Sequence, residues 1–228
     1  MRTARRGAGP EVRREPLGVL DLRGGGRGRQ RRGGGPRSAP GAGAGRCPGH
    51  LPTAAQGGQL SLHCGSRLAF AKDGRLFVGL GDRFGRKDES QNPANHIGKI
   101  VRIEPDGRVP ADNPLAGRSG AAPEVFSLGH RNIQGLAVHP VTGELWQTEH
   151  GPQGGDEINA PEAGRNYGWP IVTYGRNYGI GTRIGEEGPK PGFEQPLRHW
   201  VPQSIAPSGM AFVTSDRYPG WKGSLVMG

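Results

Sequence analysis

Cysteine is scarce in this chain of 228 residues. The two present, Cys47 and Cys64, lack the paired spacing of a metal site, so they define no disulfide framework and leave the redox compartment open. No apolar run approaches the roughly 20 residues of a membrane-spanning helix. The stretch 17–22 (LGVLDL) is too short for the apolar part of a secretory signal, and it carries Asp21. Long helices are disfavoured too, because 43 glycines and 21 prolines recur throughout and helical periodicity is weak.

Residues 1–60 contain no Phe, Tyr, Trp, Ile or Asn. They hold twelve arginines against three acids, Glu11, Glu15 and Asp21, and so carry +9 of the chain's formal +10. Runs such as 23–37 (RGGGRGRQRRGGGPR) offer too little apolar surface to offset the entropy of ordering, so disorder or a non-native leader is expected here. The remaining residues, 61–228, are close to neutral, with 18 bases and 17 acids. Binding to RNA or to an acidic surface is therefore an expectation for the Arg-rich leader alone.

From residue 61 onward the composition is globular, and one design recurs. The segments 65–82 (GSRLAFAKDGRLFVGLGD), 134–151 (QGLAVHPVTGELWQTEHG) and 208–228 (SGMAFVTSDRYPGWKGSLVMG) share an order of features. In each, a small residue precedes an apolar-Ala-apolar triplet, a polar turn with Gly follows, and a second apolar strand ends near Gly. Each is a β-hairpin by pattern. The equivalent residues Leu68, Leu136 and Met210 lie 68 and 74 apart, a period suited to propeller blades with long connecting loops. Further strands are expected at 99–103 (KIVRI), 124–127 and 157–159. The fold class is thus all-β, a partial β-propeller of about three to four blades over 61–228. A sandwich would also have many short strands, but would not explain hairpins of matched design. The sequence stops just after an apolar strand, and an open ring has bare strand edges, so a piece of a longer protein, truncated at the C-terminus, is expected.

Chemistry concentrates between Gly129 and Pro170. Arg131 and Asn132 offer donors, Glu149, Asp156 and Glu157 offer hard oxygens, and Gly151-Pro152 and Gly154-Gly155 let the backbone turn and present its carbonyls. Such a set suits an anionic ligand beside a hard cation, Ca²⁺ above all. No DxDxDG loop is present, so this is no EF-hand. A polar hairpin loop whose acids cap turns is the plainer alternative.

The runs GHRNIQGLAV, EHGPQGGDEIN and GRNYGWP, followed by NYG at 177–179, resemble the pyrroloquinoline quinone (PQQ)-dependent soluble aldose sugar dehydrogenases, the glucose/sorbosone dehydrogenase family. The resemblance extends back through IGKIVRIEPDGRVPADNP to HCGSRLAF, and forward through SGMAF to the last residue. It implies a six-bladed propeller, PQQ and Ca²⁺ as cofactors, and oxidation of the anomeric hydroxyl of aldose sugars to lactones. The electron acceptor is unknown, and a periplasmic or secreted location is implied.

By the same resemblance His63 matches the general base, a role suited to a neutral imidazole. Arg131 and Asn132 match the pair that contacts the cofactor. Gly151 and Pro152 match the carbonyl ligands of the active-site Ca²⁺, while Glu157 and the carbonyl of Tyr167 match a second, structural Ca²⁺ site. Tyr178 matches a substrate-side tyrosine. The sequence reads HCG at 63–65 where the family pattern reads HFG. Basic residues that close over the cofactor are expected beyond Gly228, so impaired cofactor binding is expected of this chain. A non-catalytic propeller binding module is the alternative function, and a Ca²⁺-dependent lactonase a further one.

Overall fold

The computed structural model describes residues 62–228, together with the backbone of one short strand, Val19–Asp21. The remaining expectation for residues 1–60 lies outside the described residues. Among the described residues, eleven strands and one 3₁₀ turn make up the regular structure. The strand Val19–Asp21 is β1; β2 (Gly65–Phe70), β3 (Leu76–Leu80), β4 (Lys99–Ile103) and β5 (Val125–Leu128) form one four-stranded antiparallel sheet in sequence order. A second sheet repeats the arrangement with β6 (Ile133–Val138), β7 (Leu145–Glu149), β8 (Asp156–Asn159) and β9 (Arg198–Trp200). The third holds β10 (Met210–Phe212) and β11 (Leu225–Met227) as an antiparallel pair, with β1 alongside β11 in parallel.

The three hairpins expected from the repeat are β2–β3, β6–β7 and β10–β11. Equivalence extends to detail: the pairing slips between Gly65 and Arg67 in the first blade and between Ile133 and Gly135 in the second, a bulge at the same distance before Leu68 and Leu136. The blades number two complete and one partial among the described residues. The strand β9 was not foreseen, because its three residues, Arg-His-Trp, have neither the length nor the alternation that marks a strand.

Apolar side chains meet where blade faces blade. Phe77 and Ile100 from the first sheet pack with Ile133, Leu136 and Leu145 from the second, and Phe77 meets Phe126 edge to face at 4.9 Å. Trp146 and Ile158 pack in turn against Leu225 and Met227. Glycine permits this approach: a Cβ at Gly79 would stand 2.7 Å from Ile133 Cγ2, and one at Gly135 2.7 Å from the Ser208 carbonyl of the next blade. These contacts put the ends of β3, β5 and β7, with the chain that follows each, at one rim.

Candidate active site

At that rim β3 runs into Gly81-Asp82, β5 into Gly129–Asn132, and β7 into His150–Gly155. The segment 166–169 returns beside them: Tyr167 N–H donates to the Leu128 carbonyl at 2.8 Å and Trp169 N–H to the Gly129 carbonyl at 2.9 Å. Gly129 adopts φ 79°, and a Cβ there would lie 2.2 Å from Asn166 Oδ1, so only glycine lets the two segments run this close.

Arg131 is buried and held on several sides. Its main-chain N–H donates to the Glu149 carboxylate, and its Nη1 donates to the carbonyls of His150 (2.8 Å) and Gly151. Its guanidinium lies over the Trp169 ring at 5.3 Å. Its Nε is buried without a partner among the described residues. A buried donor left unmatched is costly, so this geometry fits an acceptor supplied from outside the chain. Asn132, the other half of the expected pair, accepts from Gln134 Nε2 at 2.9 Å. Its Oδ1 would stand 3.2 Å from a Cβ at Gly81, next to the His63 carbonyl, so Asn132 borders both Arg131 and the histidine.

His63 lies at the same rim. Its Nδ1 bonds Asp82 Oδ1 at 2.6 Å, and its ring meets Phe84 edge to face at 5.1 Å. Asp82 is almost fully buried; it also accepts from the Phe84 N–H at 2.8 Å and, through Oδ2, from Trp169 Nε1 at 2.9 Å. A His with one nitrogen fixed by a buried carboxylate has its tautomer set, leaving Nε2 to take a proton. Asp82 and Trp169 had not been singled out in the sequence, although both stand beside glycines in the motifs GLGD and GWP.

The acids divide by partner. Asp156 is consumed by the fold: Oδ1 accepts from Gly151 N–H, and Oδ2 from the N–H groups of Ile205 and Ala206. These bonds make it a brace for the 151–155 turn, and it does not line the cavity shared by the other two acids. Glu149 accepts from Arg131 N–H and Gln147 Nε2 and faces His130 Nδ1 at 3.3 Å. Burial alone would raise its pKa, but the His130 bond and charge and the Arg131 N–H hold it below the usual range. Glu157 differs, with Asn159 Nδ2 at 3.1 Å as its side-chain donor. Burial, then the Glu149 charge, push it up to about 8.

Glu149 and Glu157 line a cavity of about 10 Å³ with Gly129, Gly151, Tyr167 and Thr173. That volume is about one water-sized particle. Two carboxylates joined to backbone carbonyls are the donor chemistry of a hard cation. Among the described residues no group of three or more His, Cys, Asp or Glu forms a metal cluster, so carbonyls must complete any such site. The Gly151 carbonyl already accepts from Arg131, and the Pro152 carbonyl accepts from Ser204 Oγ at 3.1 Å. A carbonyl has a second lone pair, so neither bond removes it as a ligand. Tyr178 lies apart on an exposed turn closed by Asn177 and Thr182, and no described contact ties it to the other residues.

A propeller rim with a buried arginine, a carboxylate-anchored histidine and an acidic cavity defines a polar ligand site built from several blades. The family model described as Glucose / Sorbosone dehydrogenase matches residues 50–228, and the chain belongs to that family. It is 45% identical to the aldose sugar dehydrogenase YliI of Escherichia coli over 168 residues, covering 73% of this chain and 44% of that protein. The apo-form structure of the soluble aldose sugar dehydrogenase of E. coli aligns with TM-score 0.69 and 44% identity, over 72% of this chain and 47% of that one. The PQQ-bound aldose sugar dehydrogenase of Streptomyces coelicolor aligns with TM-score 0.54 and 36% identity, over 67% and 40%. The chain thus spans about half the length of the relatives it matches.

Proposed function

We propose that this site belongs to a PQQ- and Ca²⁺-dependent oxidoreductase that converts the anomeric hydroxyl of aldose sugars to a lactone. The observation that carries the reading is Arg131, a buried guanidinium whose Nε lacks a partner among the described residues, beside a histidine locked to a buried aspartate. Membership of a family of sugar and glucose dehydrogenases supports it, as does the PQQ-bound form of one structural neighbour.

The residues divide the work. His63 Nε2 takes the hydroxyl proton, and Asp82 keeps Nδ1 protonated so that Nε2 is open. Bound PQQ would supply the two-electron acceptor for the hydride leaving the anomeric carbon. Arg131 and Asn132 would hold that group, with the guanidinium pairing its carboxylate or quinone oxygens. The carbonyls of Gly151 and Pro152 would hold a Ca²⁺ at the cofactor, and Glu157 with the Tyr167 carbonyl a second Ca²⁺ in the acidic cavity. Tyr178 would stand on the substrate side. A periplasmic or secreted location accords with this chemistry, and among the described residues no helix is long and apolar enough to cross a membrane.

The test titrates the chain with PQQ in the presence of Ca²⁺ and follows the quinone absorbance, then adds aldoses and an artificial electron acceptor. An absorbance shift that Arg131→Ala weakens at least ~100-fold in affinity is expected, the scale of an unpaired buried charge contact. No shift would refute the reading and favour a non-catalytic binding propeller.

A further inference from the structure

Asp82 has two carboxylate oxygens, and they are held differently. Oδ1 takes His63 Nδ1 at 2.6 Å and the Phe84 N–H at 2.8 Å. Oδ2 takes the indole Nε1–H of Trp169 at 2.9 Å. One fixed oxygen would leave the carboxylate free to swing about it, while two fix its plane. The indole is itself immobile: Trp169 is buried, its main-chain N–H donates to the Gly129 carbonyl, and its main-chain carbonyl accepts from Gln91 Nε2 at 2.7 Å. Its ring face lies under the Arg131 guanidinium at 5.3 Å.

We propose that Trp169 is a positioning residue for the base: its edge fixes Asp82, and through Asp82 the tautomer of His63, while its face seats Arg131. The inference rests on the reading of His63 as the general base. Packing alone would not require the N–H. A single indole thus joins the side of the site that takes the proton to the side that holds the cofactor. Without the N–H, Oδ2 is a buried acceptor left unmatched and the carboxylate is free to turn about Oδ1, so the Nδ1–H bond loses its fixed geometry. The hold on the tautomer weakens, and a larger share of the proton sits on Nε2, the nitrogen that has to accept the hydroxyl proton.

The experiment reads the tautomer directly. Two-bond ¹H–¹⁵N spectra of the ¹⁵N-labelled chain, without cofactor and at alkaline pH, report the ratio of Nδ1–H to Nε2–H at His63. Trp169→Phe should lower that ratio about tenfold or more, the scale of one hydrogen bond to a charged group. Placing benzothienylalanine at 169 keeps the size and shape of indole without the N–H, and should give the same fall in a chain whose folding is not in question. A ratio unchanged in the benzothienyl chain overturns the proposal. The readout needs neither quinone nor sugar, so a chain that never binds PQQ sinks the proposed function and still decides the role of Trp169.

Discussion

The proposed Ca²⁺ in the acidic cavity has a testable consequence, and the effect of adding or withdrawing the ion can be worked from Glu157. Burial and the neighbouring Glu149 charge raise this carboxyl from the ordinary 4.5 to about 8. That gap is worth on the order of 5 kcal/mol, a ceiling because a metal-free cavity can relax or admit water. The folded value is above the unfolded one, so the contribution is fully present below pH 4.5 and is lost as pH rises through about 8. The metal-free chain should therefore weaken steadily across that window. A bound Ca²⁺ needs the ionised carboxylate, so binding at pH 6 should expel about one proton, and binding at pH 9 almost none. Isothermal titration calorimetry in two buffers of unequal ionisation heat reads the released proton, and urea unfolding with and without chelator reads the stability. In Glu157→Gln the proton release should vanish, Ca²⁺ affinity should fall, and the metal-free chain at pH 9 should be more stable than the parent. Equal heats in both buffers at pH 6, or undiminished Ca²⁺ binding by Glu157→Gln, would refute the reasoning.

Gly81→Ala would set a Cβ 2.0 Å from the His63 carbonyl, where backbone has to move, so the histidine should be displaced. Thermal unfolding should show a cost of about 1–3 kcal/mol, typical of overpacking, with altered His63 ring resonances; unchanged resonances would contradict the packing described. Ile133→Ala empties a fully buried position between the first two blades, facing Gly79. Urea unfolding should show a loss of about 2–5 kcal/mol, and a loss under 1 kcal/mol would mean that the two blades do not pack as one core.

Much of the blade architecture was legible in local pattern. Leu68-Ala69-Phe70 and Leu136-Ala137-Val138 repeat one apolar-Ala-apolar triplet, and the glycines after them mark turns, so both hairpins could be drawn from sequence. The shape of β9 was not legible, since Arg198–Trp200 becomes a strand through pairing with β8. At the site, Arg131 and Asn132 were picked out by residue type and by family resemblance, and His63 by the resemblance alone. Asp156 was read as a free oxygen donor because nothing nearby in sequence reveals that Ile205 and Ala206, about fifty residues on, donate to it.

The sequence by itself determined the all-β class, the blade repeat and the family, and it nominated Arg131, Asn132 and His63 as candidates, because periodicity, turn residues and motifs are local properties. Tertiary structure alone decided how they are used. Asp82 and Trp169 are 87 residues apart, and their hydrogen bond exists because blade packing brings the end of β3 against the returning loop. Glu149 and Glu157 are partners across β7 and β8, so the same pairing that satisfies the backbone forces two carboxylates into one small cavity. Burial then separates them, holding one ionised by its donors and pushing the other towards its neutral form.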